Sequence, residues 1–403
     1  MSQILTNIER ALKYNYLNAF ENQIGTEPSA LLNKIKHVEL VSDKIKTVAP
    51  IGFSGGFGYG AEGAPTPASG AMMYEPFETE ARDMYVNIGI SVKTVRLGSN
   101  NKGAIVNALD GEIKGAYKTA NWNMGRSLFG NGSGVLTTCE AANNTKVIKV
   151  ADVKNLKEGL IIDIYKATID EEGKIVKGTE ELAKEKLRIL GVDRANSTIT
   201  IFGDAITIEA GFITIQQSWN REITGLGTIF DNTVDTIYGL KKADNPFLAP
   251  VVMSADDDIR DGVITKALRQ AKRDKNSNVD MIMAGDDAYD SYVEYLRTNN
   301  IRVEEMTHEI QGGFKSIKFL FDNRIVDIVN EAHVPSTEMW GVDTSALEFH
   351  KQKWDYATLQ GGSIFTLLPG ESIYRALLAN YGDLICKNPG GCIRITDCSY
   401  ARV

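Results

Sequence analysis

Between Ser99 and Gly134, apolar side chains recur every three or four positions: Ile105, Leu109, Ile113, Tyr117, Ala120, Met124 and Leu128. That spacing keeps them on one stripe of a helix. The stripe holds for about seven turns, roughly 40 Å at 1.5 Å per residue. It stops at the glycine-rich break of Gly130 to Gly134. A shorter helical pattern opens the chain, with Ile4, Ile8, Leu12, Leu17, Phe20 and Ile24. Thr26-Glu27-Pro28 then supplies a cap and a first-turn proline for a second short helix reaching Lys36.

The period changes to two from Val38 to Pro50, with Val38, Leu40, Ile45 and Val48 predicting a strand. A second alternating run, Ala81–Leu97, carries Tyr85, Ile88, Ile90 and Val92. Between the two lies a tract from Gly52 to Glu80 rich in Gly, Ala and Pro, with aromatics among them. Two strands around such a tip predict a long extended hairpin. A segment this long without regular pattern is functional or a linker in most compact domains.

After the long helix, the stretch from Val147 to Ser218 turns into short strands: VIKV, LIIDIYKAT, KIVKG, KLRILGV, TITIF and FITIQQ. Turn signals (EEG, DRANS, FGD, EAG) separate them, which predicts a small all-β barrel or sandwich. From Gly225 the pattern becomes α/β. Val263, Ile264, Ala267, Leu268 and Ala271 mark a helix, and VDMIMA (279–284) reads as a buried strand. Asp286 is placed to cap a helix carrying Ala288, Tyr289, Tyr292, Val293 and Leu296. IRVEEM, IKFLFDN, RIVDIV and MWGVD follow as strands, and FTLLPG, YRALLANYGDLICKN and CIRITDC close the chain. A long lone helix serving as a backbone for extended arms suggests a shell-forming protein rather than an enzyme.

Composition narrows the function classes. The 403 residues imply two or three domains, and 43% hydrophobic with 24% charged residues is ordinary for a globular protein. The net charge of −8 argues against a protein that works by neutralising phosphates. No apolar run approaches the ~18 residues of a membrane helix. The first twenty residues lack the apolar core of a signal peptide. With only four cysteines, the expectation is a chain made and kept in a cytoplasm.

Candidate chemistry is thin. The glycine-rich loop at 52–63 lacks a Gly-Lys-Ser/Thr ending, so it reads as a hairpin tip and not as a phosphate cradle. The carboxylates Asp256, Asp257, Asp258 and Asp261 lack calcium-loop spacing and precede a helix whose dipole favours them. Asp286-Asp287 repeats that logic. His37, His308, His333 and His350 have no paired ligand spacing. Cys386, Cys392 and Cys398 are spaced by six and read as free buried thiols rather than zinc ligands. No Gly-x-Ser-x-Gly elbow is present. The expectation is therefore no catalytic residue, no cofactor and no metal.

The order of parts is itself specific. TANWNMGRSLFGNGSG (119–134) closes the long helix, NPFLAPVVMS (245–254) leads into a helix, and VDMIMAGDDAYDSYVEYL (279–296) and VDIVNEAHVPSTEMWGVDT (326–344) follow. This resembles the major capsid protein of tailed bacteriophages, with the Hong Kong 97 type of capsid fold. The resemblance implies an α+β fold with an N-terminal arm at 1–50 and an extended hairpin loop at 51–98. A spine helix and part of a peripheral domain would occupy 99–145, with Lys102–Gly130 as the spine. An inserted small all-β domain at 146–220 departs from the minimal fold. An axial α/β domain would follow at 221–350, with closing strands at 351–403. It also implies a structural protein whose hexamers and pentamers form an icosahedral head in the virion, assembled in the host cytoplasm. Expected partners are copies of itself, scaffolding and portal proteins and a decoration protein. Double-stranded DNA would be enclosed, not bound by sequence, and no membrane is involved. Against that family, the expectation is of no long, charged, helical scaffolding region before the arm, which implies a separate scaffolding protein or none. The family's lysine–asparagine crosslink has no assigned residues here, although Lys93 and Lys102 sit near the hairpin base. The alternatives are an encapsulin-like compartment, which shares the fold, or another virion part such as a tail component.

Overall fold

A computed structural model describes residues 29–400 except 53, 64, 94–101, 169–174, 177, 300–315, 358–363, 368–369 and 371. The helix expected over the first 24 residues, the IRVEEM strand and His308 lie outside the described residues. The chain divides into two compact units, one of residues 1–129 with 226–403, the other Gly130–Gly225.

The first unit begins with α1 (Ala30–Lys34), capped by the Ser29 hydroxyl, which accepts from the Leu31 N–H. The helix is thus shorter than the sequence predicts, and its cap is Ser29 in place of Thr26. Strand β1 (Lys36–Glu39) follows, then β2 (Lys44–Pro50). In β2 the buried residues are Ile45 and Ala49, so Val48 faces the other way and is 56% exposed. Strand β3 (Tyr74–Glu80) pairs antiparallel with β2 from Lys44↔Glu80 to Pro50↔Tyr74. This corrects the predicted hairpin. The partner of β2 is YEPFETE, whose charges hide its period of two. The run from Ala81 instead supplies β4 (Arg82–Ser91), and it pairs elsewhere.

The long helix is α2 (Lys102–Phe129), 28 residues. Where its side chains are described, Ile113, Tyr117, Met124 and Leu128 of the predicted stripe are buried and Ala120 is half-buried, and Phe129 is buried beside them. Each such side chain contributes about 1.5–3 kcal/mol by leaving water.

The second unit, residues 130–225, is wider than 146–220 because Val135–Cys139 forms β5 and enters its sheet. After it come β6 (Ala142–Thr145), β7 (Val147–Lys149), β8 (Ile161–Lys166), β9 (Glu181–Asp193), β10 (Thr198–Ile201), β11 (Ile206–Ile208) and β12 (Gly211–Ile215). Six of them run β5-β12-β8-β9-β10-β7, and β11 pairs with β6. The edge strands meet: Cys139 and Val150 form a bridge, with Glu140 N–H donating to the Lys149 carbonyl at 3.0 Å. The sheet therefore closes into a barrel, which removes its free edges. Ile148, Ile162, Ile164, Ile189, Ile199, Ile201 and Ile213 are its buried aliphatics, while Phe212, next to Ile213 on the strand, faces the other way against Tyr165 and Trp219. A buried carboxylate pins its geometry. Asp163 accepts from the Lys186 N–H at 2.8 Å and the Gln217 N–H at 2.6 Å. Both donors sit at positive φ, 55° and 58°.

The first unit resumes with the turn α3 (Gly227–Phe230), β13 (Thr236–Ile237), β14 (Leu240–Lys241) and β15 (Val251–Ser254). Then come α4 (Asp261–Lys275), β16 (Met281–Ala284), α5 (Asp286–Thr298), β17 (Ser316–Phe321), β18 (Arg324–Asn330) and β19 (Met339–Val342). The chain ends with β20 (Leu347–Lys351), β21 (Asp355–Tyr356), β22 (Phe365–Leu367), β23 (Ile373–Cys386) and β24 (Ile393–Thr396). One mixed sheet has the order β15-β24-β19-β16-β18-β17. Its one face carries Val251, Ile282, Ala284, Val326, Ile328, Met339, Ile393 and Ile395, covered by Ile264, Ala267, Leu268 and Ala271 of α4 and Ala288, Tyr292 and Leu296 of α5. Both helices thus lie on the same face. Asp286 is the first residue of α5, and Gly285, not Asp286, is its cap. The second large sheet is built on β23. β4 runs along one flank, from Ser91↔Ile373 to Arg82↔Gly382, and β20, β21 and β22 pair with it as well.

Candidate assembly surfaces

The hairpin is anchored at its base. Phe77 is fully buried and stacks on Tyr238 at 5.3 Å between ring centroids. The Tyr238 hydroxyl accepts from the Cys386 N–H at 2.9 Å, and Thr79 donates to the buried Asp383 carboxylate at 2.6 Å. Along the strands, Lys46 pairs with Glu78.

Beyond Pro50 the two arms stay close. Ile51 N–H donates to the Met73 carbonyl at 2.9 Å, and the Ser54 hydroxyl to the Gly70 carbonyl at 2.8 Å. A Cβ on Gly70 would lie 2.4 Å from the Gly55 nitrogen, so only glycine allows this approach. Around this crossing, apolar groups face outward: Phe57 80% exposed, Tyr59 95%, Met73 66%, with Met72 and Tyr74. Phe57 and Tyr59 meet only edge to face, at 5.3 Å. Such grouped exposed apolar residues mark a contact surface. Phe53 lies outside the described residues.

The spine helix ends in an aromatic joint. Phe129 stacks on His333 and lies 6.2 Å from Trp340, which in turn meets Phe230 at 4.8 Å. The Leu226 N–H donates to the Leu128 carbonyl at 2.7 Å. Chain departure and return are therefore adjacent on the first unit.

The remaining sequence candidates are dispersed. His37 holds the Leu32 carbonyl at 2.8 Å, and burial pushes its pKa down. His350 is likewise depressed by burial, despite Glu348 nearby. Burial opposes ionisation of Glu348, yet Lys387 and Lys36, each 2.9 Å away, hold its carboxyl at about 2. Asp256 and Asp257 occupy turn positions at φ 51° and 58°, and Asp261 accepts from the Tyr292 hydroxyl at 2.8 Å. Cys139, Cys386, Cys392 and Cys398 are free and buried. Cys386 and Cys392 approach to 3.8 Å between sulfurs. Burial pushes Cys139 up to about 11 and Cys398 up to about 12. Lys93 stands exposed past β4, and Lys102 opens α2. Among the described residues, no group of three or more His, Cys, Asp or Glu could hold a metal ion. Among them also, no helix is long and apolar enough to cross a membrane. Sequence reasoning misses Asp163 and Glu348, since neither stands in a local motif and both partner sets are distant in the chain.

No family model matches the sequence, and no curated protein matches it. Solved structures do match. The capsid asymmetric unit of cyanophage A-1(L) is 10% identical, covers 91% of this chain and 90% of its own, and superposes with a TM-score of 0.50. An encapsulin complex (SrpI) from Synechococcus elongatus PCC 7942 is 8% identical over 94% and 91%, TM-score 0.49. The satellite phage P4 procapsid is 9% identical over 95% and 99%, TM-score 0.44. The chain is mixed α+β and has the Hong Kong 97-like fold of a phage capsid subunit.

Proposed function

We propose that this chain is the major capsid protein of a tailed bacteriophage, a structural subunit with no catalytic role. The observation that carries the proposal is the likeness to a cyanophage capsid subunit across nine-tenths of both chains. The exposed apolar tip supports it, because a segment with no core of its own must be covered by something else. The chain self-assembles into hexamers and pentamers, which close by rotation. Interfaces of this obligate kind bury more than about 2,000 Å². The tip lies over a neighbouring subunit. The barrel of residues 130–225 is a separately folding module that projects from the shell and offers a site to a decoration protein. Scaffolding and portal proteins are the other partners. The net charge of −8 suits a wall that encloses DNA without gripping it. The location is the virion head, after assembly in the host cytoplasm. Electron microscopy of the purified recombinant chain tests this: closed shells support it, and tubes or small monodisperse particles overturn it.

A further inference from the structure

The two helices covering the mixed sheet carry opposite charge. Helix α4 holds five basic residues, Lys266, Arg269, Lys272, Arg273 and Lys275, against two acidic ones. Helix α5 holds four acidic residues, Asp286, Asp287, Asp290 and Glu294, against one basic. They lie on one face of the sheet, joined where Tyr292 of α5 donates to Asp261 of α4. Their apolar sides are turned to the core, so the charges point outward: Lys266, Arg269, Arg273, Asp286, Asp287 and Asp290 are all exposed.

The helix dipole explains part of this. It favours Asp286 and Asp287 in a first turn and Lys272, Arg273 and Lys275 in a last one. That effect fades within a turn, so it does not account for Lys266 and Arg269 in the middle of α4 or for Asp290 in α5. Nor do local ion pairs. Lys272 takes Asp322, and Arg273 takes its neighbour Asp274. Among the described residues no ion pair holds Lys266, Asp286, Asp287 or Asp290. Lys266, Arg269 and Arg273 follow at i, i+3 and i+7, one stripe of the helix surface.

We infer that this charge-split face docks a second copy of the same chain, the basic stripe of α4 against the acidic stripe of α5 on the next copy. The inference rests on the capsid reading and names a contact within it. The two helices are complementary: a single chain carries both signs, on separate neighbouring elements, and Lys266 on one and Asp286, Asp287 and Asp290 on the other have no ion-pair partner among the described residues. Pairing α4 with the next copy's α5 leaves one free helix at each end of a pair. Used in that way the contact is head-to-tail, and successive copies form a ring where the rotation closes. Exposed pairs of this kind add little strength singly. They select the partner and steer its approach, and they weaken with salt because the Debye length is only about 10 Å at 0.1 M.

Charge reversal in the full-length chain tests it. The Lys266→Glu/Arg269→Glu chain should lose assembled material by roughly tenfold and the Asp290→Lys chain by roughly fivefold, on the scale of two lost pairs and one. All three positions are exposed, and circular dichroism with thermal melting confirms that each variant is folded. A mixture of the two variants should recover assemblies, since the acidic α4 of the first then meets the more basic α5 of the second. Wild-type assembly should slow with added sodium chloride. Reversed chains that assemble like wild type, or a mixture with no recovery, overturn the inference while the capsid reading stands. Dimers that grow no further place the copies two-fold and overturn the head-to-tail contact. A wild-type chain that forms no shell under any condition overturns the capsid reading and this contact with it.

Discussion

The barrel of residues 130–225 and the hairpin tip of residues 51–73 are both made of short extended pieces joined at glycine-rich turns, yet they meet opposite ends. In the barrel every second side chain turns inward, and the edge strands join at Cys139 and Val150. In the tip the arms cross at Gly55 and Gly70 so closely that no side chain fits between them. Its bulky groups are left in water. A sheet that closes supplies its own burial, whereas a two-stranded ribbon has no interior and must borrow one. The same local vocabulary therefore gives a closed barrel in one place and an uncovered apolar tip in the other.

Deleting residues 54–70 should have the largest effect. Shells should disappear while a folded subunit remains, read by electron microscopy beside circular dichroism. Normal shells from that deletion would show that the tip borrows nothing. Replacing residues 130–225 with a short Gly-Ser linker should have the smaller effect: particles still form, with a lower melting temperature at most. The excised fragment should give a dispersed NMR spectrum, and a collapsed one removes its claim to autonomy.

Within the barrel, Asp163→Ala should leave the Lys186 and Gln217 N–H groups without their acceptor. A cost of about 1–3 kcal/mol is expected. It should appear as faster hydrogen exchange in barrel amides, with those of the mixed sheet unchanged. A smaller effect again concerns pH. The carboxyl of Glu348, ordinarily near 4.5, is held at about 2, so its contribution is complete above about pH 4.5 and is lost as pH falls toward 2. Glu348→Gln should flatten the acid side of the stability curve in that window. Equal acid slopes in both proteins would discount the Lys36 and Lys387 contacts. The least change is expected from reductant, because the four thiols are buried and free. Denaturing gels of assembled material should show monomers with and without it.

How much can be read from the chain alone follows from the range of the forces involved. The spine stripe is legible because Ile113, Tyr117, Met124 and Leu128 are set by a helix that repeats every 3.6 residues. The barrel strands are legible for the matching reason at period two. Pairing is not. β4 finds β23 nearly three hundred residues away, and nothing between Ala81 and Leu97 announces that partner. β3 escapes notice because Glu75, Glu78 and Glu80 mask its alternation, while Phe77 alone carries the burial. Val48 reads as an inward residue, yet its neighbour Ala49, small and unassuming, is the one that packs. At the surfaces, the tip is legible from composition, whereas Asp163 and Glu348 depend on partners that only folding assembles.

The hydrogen bond from Leu226 to Leu128 has a mechanical meaning. The subunit treats everything from Phe129 to Leu226 as a loop whose two ends are already tied together. The two ends of that loop stand one hydrogen bond apart at the end of the spine, which is where a replacement segment would be joined.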